Sequence, residues 1–213
     1  MRVKICGLGR EEEVDLCEGA DMVGVVIEAP RSPRSRDWTT ARAIFSAAEG
    51  RFLRVAVLVR PDAGTVRRAY EAGADQAQIH GGVPPGLKED ELLRVIPSVP
   101  MPRPGGDALP REFAQAWDGP FPLVHLDTRS EQADGGTGTS WDWTLAPPGR
   151  PGRPRPFLVA GGLNPENVGR AIRLLHPWGV DVSSGVEERP GVKNGGLIRA
   201  FLAAVHASEE RDA

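Results

Sequence analysis

The sequence predicts a single α/β domain, a (β/α)8 TIM barrel over residues 1–207 of 213, followed by a disordered tail at 208–213. Short apolar runs recur every 20 to 30 residues, and a stretch of helical pattern follows each of them. Strands that alternate with helices indicate βαβ units and therefore a parallel sheet. Because the runs are apolar throughout, they are typical of strands that are covered on both faces.

Seven of the apolar runs are read directly as strands, at 3–5, 22–27, 53–59, 76–79, 123–126, 157–160 and 179–182. The eighth strand has only one place, between two helical patterns, where the string VIPSVPMPRPGG carries four prolines. Since proline cannot donate a backbone hydrogen bond, this string predicts a short, poorly hydrogen-bonded strand near 98–101.

Helical patterns lie between these strands, at 11–18, 39–48, 63–72, 88–95, 110–117, 165–175 and 195–206. Start signals support several of them, namely Thr39-Thr40, Pro61-Asp62 and Asn164-Pro165. The sixth helix is predicted to be degenerate, because PPGRPGRPRP at 147–156 favours an extended surface connection. A linker between two domains would also fit that composition, but the strands on either side would then each lack a sheet.

Composition favours a small metabolite as the partner. The net charge is −3 and the calculated isoelectric point is near 5.9, so the chain offers no basic field for nucleic acid. No apolar run is long enough to cross a bilayer, and the first residues do not resemble a secretory signal, which predicts a cytoplasmic location. Cys6 and Cys17 are expected to be reduced, because one ends a strand-like run and the other lies in a helical pattern.

Functional residues of a βα barrel lie at the carboxyl ends of the strands, because the βα loops and helix N-termini converge there. Six segments place reactive or phosphate-competent residues at predicted strand ends. They are Cys6-Gly7, Ser32-Pro33-Arg34, His80-Gly81-Gly82, Asp127, Gly161-Gly162 and Ser183-Ser184-Gly185. We expect all of them to face one cleft.

Two successive units near the end of the chain predict a phosphate site. In LVAGGLNPENV, an apolar strand is followed by Gly161-Gly162 and a helix start, so backbone N–H groups can approach an anion closely. The next unit, GVDVSSGVE, repeats the arrangement with Ser183, Ser184 and Gly185. One glycine pair alone is better explained by a tight turn, but two units in the seventh and eighth positions favour a phosphate cradle.

Cys6 and Asp127 each have a structural and a functional interpretation. A cysteine that ends a strand is by default a core residue, whereas a thiol at the mouth of strand one could act as a base if nearby positive charge lowered its pKa. An aspartate after strand six could cap a turn, or it could hold a proton for donation if burial raised its pKa. The two residues are expected on different sides of the lumen.

Arg34 lies in the basic stretch PRSPRSR, which could be only a solvated loop, but a guanidinium is also the natural bidentate partner of a carboxylate. His80 is interpreted as a supporting residue. The sequence contains no HxxxH or CxxC spacing, so it predicts no metal site.

Seven strings, in order and over most of the chain, resemble the successive signatures of the phosphoribosylanthranilate isomerases of tryptophan biosynthesis. They are KICGL at 4–8, GADMVGVV at 19–26, SPR at 32–34, QIHG at 78–81, GGTGTSWDW at 135–143, VAGGLNPENV at 159–168 and GVDVSSGVEERPGVK at 179–193. Any one string is a weak signal, but their shared order and spacing are specific.

The resemblance implies residue roles. It makes Cys6 the general base, Asp127 the general acid and Arg34 the group that holds the anthranilate carboxylate. Phosphate binding is implied for Gly135, Gly136, Gly161, Gly162, Ser183, Ser184 and Gly185, with His80 and Asp181 as supporting residues. The implied reaction is an Amadori rearrangement that needs no cofactor, on a phosphorylated small molecule, by a monomer or homodimer with no nucleic-acid or membrane partner.

The chain also departs from the family pattern. Residues 83–122 match little, and Asn194 stands where an aspartate is more usual. Two alternatives stay open on the sequence. One is another phosphosugar isomerase on the same barrel, against which Cys6 argues, because the histidine-pathway relative works with two aspartates. The other is a catalytically idle barrel that only binds phosphorylated ligands.

Overall fold

The chain forms a closed barrel of eight parallel strands in a computed structural model that describes residues 1–102, 109–128, 141, 143 and 155–209. The barrel strands are β1 (Arg2–Cys6), β2 (Met22–Ile27), β3 (Leu53–Val59), β4 (Gln76–His80), β5 (Val95–Met101), β6 (Val124–Thr128), β7 (Phe157–Val159) and β8 (Gly179–Val182). Each strand pairs with the next along the chain, and β8 pairs with β1. The predicted fold class is confirmed.

The proline-rich strand β5 is longer and better paired than the sequence predicts. Val95–Ser98 pair with β4, and Ser98–Met101 pair with β6, so strands on both sides supply partners. The expectation of a short, poorly hydrogen-bonded strand is therefore wrong. The helix predicted at 88–95 is reduced to one turn, Glu89–Leu92, because Val95 already pairs with β4.

Six helices surround the barrel among the described residues: α1 (Trp38–Ala47), α2 (Ala63–Glu71), α3 (Glu89–Leu92), α4 (Arg111–Asp118), α5 (Val168–Leu175) and α6 (Gly195–Glu209). Asp37 and Asp62 cap α1 and α2, accepting hydrogen bonds from the Thr40 and Thr65 N–H groups at 2.7 and 2.6 Å. None of the helices in the described part of the chain is long and apolar enough to cross a membrane.

Two predicted helices differ in detail. The helix expected at 11–18 is a pair of 3-10 turns, Glu11–Glu13 and Asp15–Cys17, because the Glu13 carboxylate is drawn inward to accept the N–H groups of Gly9 and Lys193. The helix expected at 165–175 begins only at Val168. There the Asn164 side chain first closes a turn by accepting the N–H groups of residues 166 and 167.

The end of the chain is ordered further than predicted. Helix α6 continues to Glu209, two residues past the expected boundary at 207, and Ser208 Oγ donates to the Ala204 carbonyl at 2.8 Å. The prediction of a disordered tail is therefore wrong for 208–209, while 210–213 lie outside the described residues. Of the segment 147–156, where the sixth helix is predicted to be degenerate, residues 147–154 also lie outside them.

The barrel lumen is filled in two parts. Near the amino ends of the strands it holds an apolar cluster of five buried side chains, Met22, Val55, Ile96, Leu123 and Leu158. Above this cluster, toward the carboxyl ends, many of the inward side chains are polar, and the lumen opens into a cleft. An apolar cluster at the amino end thus lies beneath a polar site at the other end.

Candidate active site

An open cleft with about 570 Å³ of empty space lies at the carboxyl ends of the strands. Most of the predicted site residues line it: Cys6, Arg34, His80, Asp127, Gly161, Gly162, Asp181, Ser183 and Ser184. Gly185 lies in the adjoining 3-10 turn. The predicted phosphate residues Gly135 and Gly136 lie outside the described part of the chain.

Cys6 is the last residue of β1, and its side chain is buried. Lys4 lies two residues earlier and therefore points to the same side of the strand. Burial raises the pKa of the Cys6 thiol, although the nearby Lys4 and Lys193 oppose the shift. The condition under which the sequence favoured a base here, a pKa lowered by positive charge, is therefore not met in this structure, because removal from water outweighs the two cations.

Gly24 of β2 makes room for both of these side chains. A Cβ atom at this position would lie 3.0 Å from Cys6 Sγ and 3.1 Å from Lys4 Cε. Any larger residue would therefore have to displace the thiol or the lysine chain.

Asp127 lies in β6, on a different side of the lumen from Cys6. Its Oδ1 accepts a hydrogen bond from the Thr128 N–H at 2.7 Å. Burial raises the pKa of the Asp127 carboxyl against the opposing influence of His125. A carboxyl in this environment can retain a proton, as expected for a general acid.

A buried polar network forms the floor of the cleft. Lys4 Nζ donates to Gln78 Oε1 at 2.9 Å and to Asp181 Oδ2 at 2.8 Å, and His125 Nε2 lies 2.9 Å from the same Asp181 oxygen. Burial alone would raise the pKa of Asp181, but Lys4 and His125 together lower it, so the carboxylate is ionised. Sequence reasoning named only Asp181 of this network.

A signal in the sequence could have revealed the other members. Each network residue stands two positions before a cleft residue on the same strand: Lys4 before Cys6, Gln78 before His80, His125 before Asp127, and Asp181 before Ser183. Side chains two apart on a strand share a face. Polar residues at these positions, in otherwise apolar runs, therefore predict a second polar layer beneath the cleft.

Arg34 is buried, and its guanidinium already has a carboxylate partner. Its Nε and Nη2 donate to the two oxygens of Glu187 at 2.7 and 2.6 Å. Lys193 Nζ donates to Glu187 at 2.7 Å and to the Ser183 carbonyl at 3.1 Å. Two cations thus share one anion beside Ser183, and sequence reasoning identified only Arg34.

The loops that follow β7 and β8 touch each other. Gly161 and Gly162 have φ angles of +87° and +66°, in the left-handed region that favours glycine. A Cβ on Gly161 would lie 2.1 Å from Thr128 Oγ1, and a Cβ on Gly185 would lie 1.9 Å from the Leu163 carbonyl oxygen. Only glycine allows this approach, which places the predicted phosphate loops side by side.

The opposite wall of the cleft is apolar. Cys6, Val26, Ala29 and Val57 form a small buried cluster, with Val59 packed against it. Val26 and Val57 face the cleft itself. An aromatic ring could pack against this wall next to Arg34.

Three possible metal-binding groups meet in the cleft, although none follows a sequence spacing typical of a metal site. Donor atoms of His80, His125 and Asp127 lie within 4.8 Å of one another, because the closed barrel brings β4 and β6 together. Both ring nitrogens of His125 already have partners, Ser98 Oγ at 2.8 Å and Asp181 Oδ2 at 2.9 Å. In this structure the imidazole therefore belongs to the polar network.

Comparison with known proteins points to one family. The family model described as N-(5'phosphoribosyl)anthranilate (PRA) isomerase matches residues 3–204. N-(5'-phosphoribosyl)anthranilate isomerases from Nitrosospira multiformis and Halorhodospira halophila are each 39% identical, and each alignment covers 98% of both chains.

Solved structures agree with this result. The phosphoribosyl anthranilate isomerase of Thermus thermophilus is 33% identical, with a TM-score of 0.80 over 97% of this chain and 99% of that one. Another isomerase of this kind, solved in complex with reduced 1-(o-carboxyphenylamino)-1-deoxyribulose 5-phosphate, is 32% identical, with a TM-score of 0.77 and the same coverage.

Proposed function

The chain belongs to the family of N-(5'-phosphoribosyl)anthranilate isomerases, and on that premise we propose which residues of the cleft carry out the reaction. The enzyme is an aldose–ketose isomerase of tryptophan biosynthesis. It converts N-(5-phosphoribosyl)anthranilate to 1-(2-carboxyphenylamino)-1-deoxyribulose 5-phosphate by an Amadori rearrangement. The observation that carries the proposal is that a thiol and a protonatable carboxyl line one cleft, between an apolar wall and two glycine-containing loops.

Asp127 is proposed as the general acid. Its proton passes to the furanose ring oxygen as the bond between that oxygen and C1 breaks, and the nitrogen lone pair forms the C1 iminium. The raised pKa of the buried carboxyl supports this role, because a group must be protonated in order to donate.

Cys6 is proposed as the general base. Once the iminium has formed, the C2 proton is acidified and the Cys6 thiolate removes it, giving an enolamine. This intermediate takes up a proton at C1 and tautomerises to the ketone, so the reaction needs neither an external oxidant nor a reductant. Lys4 is close enough to stabilise the thiolate once it has formed.

Substrate binding is proposed to use the two ends of the cleft. The phosphate would lie at Gly161, Gly162, Ser183, Ser184 and Gly185, where the loops after β7 and β8 meet. Gly135 and Gly136 are proposed for the same site from the sequence resemblance. Binding energy from the phosphate would hold the sugar between acid and base.

The anthranilate carboxylate is proposed to bind Arg34 on the part of the guanidinium that Glu187 leaves open, with the ring on the apolar wall. His80 and Asp181 are proposed as supporting residues, since Asp181 belongs to the polar network and His80 is hydrogen-bonded to its member Gln78.

The activity is tested by mixing the enzyme with freshly made phosphoribosylanthranilate and following the loss of anthranilate-type fluorescence. We expect turnover by the wild-type protein. A lack of turnover would reject the isomerase and favour a barrel that only binds phosphorylated ligands.

The roles of acid and base are tested with Asp127→Asn and Cys6→Ser. Each substitution is expected to lower kcat at least ~100-fold while product-analogue binding stays within about tenfold, as expected when a proton-transfer group is removed. Rates near the wild-type value in either variant would remove that residue from the mechanism.

The role of Arg34 is tested with Arg34→Lys, which retains the charge but loses the planar guanidinium. We expect KM to rise about tenfold with kcat within about threefold, because a carboxylate loses its bidentate partner. The matched control is Arg31→Lys in the same loop, whose residue is exposed and does not line the cleft. Equal KM values in both variants would contradict the assignment.

The proposed setting is the cytoplasm, because both Cys6 and Cys17 are free thiols and the mechanism needs one of them reduced. The assembly is proposed to be a monomer or a homodimer, and sedimentation of the purified protein distinguishes the two. A solved relative from Thermotoga maritima is described as a dimeric enzyme from which monomers were generated.

A further inference from the structure

Lys4 lies at the centre of the buried network, and because it can only donate hydrogen bonds, it determines how its neighbours are oriented. The side chain is fully buried, and its ammonium donates to Gln78 on β4 and to Asp181 on β8. An ammonium group has three N–H donors and no acceptor. Each partner must therefore turn an acceptor atom toward it.

The first consequence concerns Gln78 and His80. Because Gln78 Oε1 accepts from Lys4, its amide nitrogen faces the other way and lies 3.0 Å from His80 Nε2. An amide nitrogen can only donate, so His80 Nε2 must accept and carries no hydrogen. Burial lowers the pKa of His80 to about 3, so the ring is neutral and its single proton is on Nδ1.

The second consequence concerns Asp181 and His125. The ionised Asp181 has only acceptor atoms, so His125 Nε2 must donate to it. In a neutral His125 ring, Nδ1 then accepts the hydroxyl proton of Ser98 at 2.8 Å. The two imidazoles, whose centroids are 5.8 Å apart, would hold opposite tautomers.

We propose that Lys4 is a positioning residue that fixes the tautomers of both histidines, so that His80 presents its Nδ1–H to an oxygen of the substrate's sugar. His80 lines the cleft, and among the described residues no protein acceptor bonds its Nδ1. The sugar oxygen as acceptor rests on the proposed function. The tautomers do not, because they are a property of the unliganded enzyme.

The tautomers are measured by long-range ¹H–¹⁵N NMR correlation on the ¹⁵N-labelled protein, whose four histidines make assignment practical. We expect His80 protonated on Nδ1 and His125 protonated on Nε2. A wild-type His80 protonated on Nε2 would overturn the proposal, whatever the activity of the enzyme.

Gln78→Glu is the decisive variant, because it is nearly isosteric and keeps an oxygen for Lys4 while replacing the donor to His80 with an acceptor. The new carboxylate is expected to be ionised beside Lys4, so His80 must place a proton on Nε2 while His125 is unchanged. If Lys4→Met folds, neither His80 nor His125 should keep a fixed tautomer. If it does not fold, the result for Gln78→Glu alone tests the role of the network.

Kinetics separate the two parts of the proposal. We expect Gln78→Glu to raise KM about fivefold and to leave kcat within about threefold, since His80 no longer presents a fixed Nδ1–H donor to the sugar. If the His80 proton stays on Nδ1 in this variant, the network does not set the tautomer, and that part of the proposal is overturned. If the His80 proton moves to Nε2 but KM is unchanged, the proposed hydrogen bond from His80 to the sugar is overturned. Absence of turnover in the wild type would reject the proposed function and leave the tautomer assignment standing.

Discussion

The two ends of the barrel lumen are built from opposite kinds of side chain. Near the amino ends of the strands, Met22, Val55, Ile96, Leu123 and Leu158 pack together without a polar atom. Toward the carboxyl ends the network around Lys4 replaces them, and the cleft opens above it. Apolar packing contributes stability without directing any chemistry, whereas the polar network holds charged and hydrogen-bonding groups at the base of the cleft.

The difference shows how one small domain separates stability from function. The buried polar atoms of the network carry a desolvation cost that hydrogen bonds and ion pairs offset, although Asp181 Oδ1 has no hydrogen-bond partner among the described residues. The five side chains of the apolar cluster carry no such cost, but shortening one of them would leave a cavity. Substitutions at the two ends should therefore change different measured quantities.

Ile96→Ala is expected to have the largest effect on stability. The side chain is fully buried in the apolar cluster, so its loss should lower the free energy of unfolding by about 3 kcal/mol. The kcat of the folded enzyme should stay within about twofold. Urea denaturation and steady-state kinetics measure the two quantities.

Leu93→Ala is the control for Ile96→Ala. Its side chain is 54% exposed, so the change in unfolding free energy should be below about 0.5 kcal/mol. A tenfold fall in kcat of folded Ile96→Ala would show that the two ends of the lumen are not separate.

Gly161→Ala should have an intermediate effect, on activity more than on stability. The new Cβ would clash with Thr128 and lie 2.9 Å from Asp127 Oδ1, so it should displace the proposed general acid and one of the two proposed phosphate loops. We expect kcat/KM to fall at least about tenfold.

Gly50→Ala matches this change elsewhere in the barrel. Gly50 also has a positive φ angle, +72°, but nothing lies within 4 Å of a Cβ placed there. It should lose about 1 kcal/mol of stability through backbone strain alone and keep its activity. Equal kinetic losses in the two variants would contradict a special role for Gly161.

The pH dependence of kcat/KM should give the smallest effect. In the proposed mechanism the reactive form of the enzyme has Cys6 as thiolate and Asp127 protonated. When the thiol has the higher pKa, this is the less populated of the two forms in which the pair of residues holds one proton. Between the two pKa values the population of this form does not change with pH. The population of the reactive form falls at pH values below the pKa of Asp127, because both residues are then protonated. It also falls at pH values above the pKa of Cys6, because both residues are then ionised.

Because burial raises the pKa of Cys6, the alkaline fall should begin only above about pH 9. Between pH 8 and 9 we expect kcat/KM to change by less than about twofold. A fall beginning at pH 7 would contradict a raised pKa for this thiol. The profile is read from initial rates in buffers of constant ionic strength.

Much of the fold and half of the site followed from the sequence. The spacing of apolar runs located seven strands, and the rule that function lies at strand ends selected Cys6, Asp127 and the loops after β7 and β8. Strand β5 was misjudged, since its prolines argue locally against pairing while strands on both sides supply partners. The contacts of Glu187 and Lys193 were missed, because no local sequence pattern shows that these residues lie beside Arg34 in the fold.

By itself, the sequence determined the alternation of strands and helices and the face on which each strand-end residue lies, because both depend on periodicities of a few residues. Only the tertiary structure decided which charges meet. Lys4 reaches Asp181 across 177 residues, and Arg34 reaches Glu187 across 153. Closure of the barrel also set the pKa of Cys6, since burial depends on the packing of distant segments and here outweighs the cations beside the thiol.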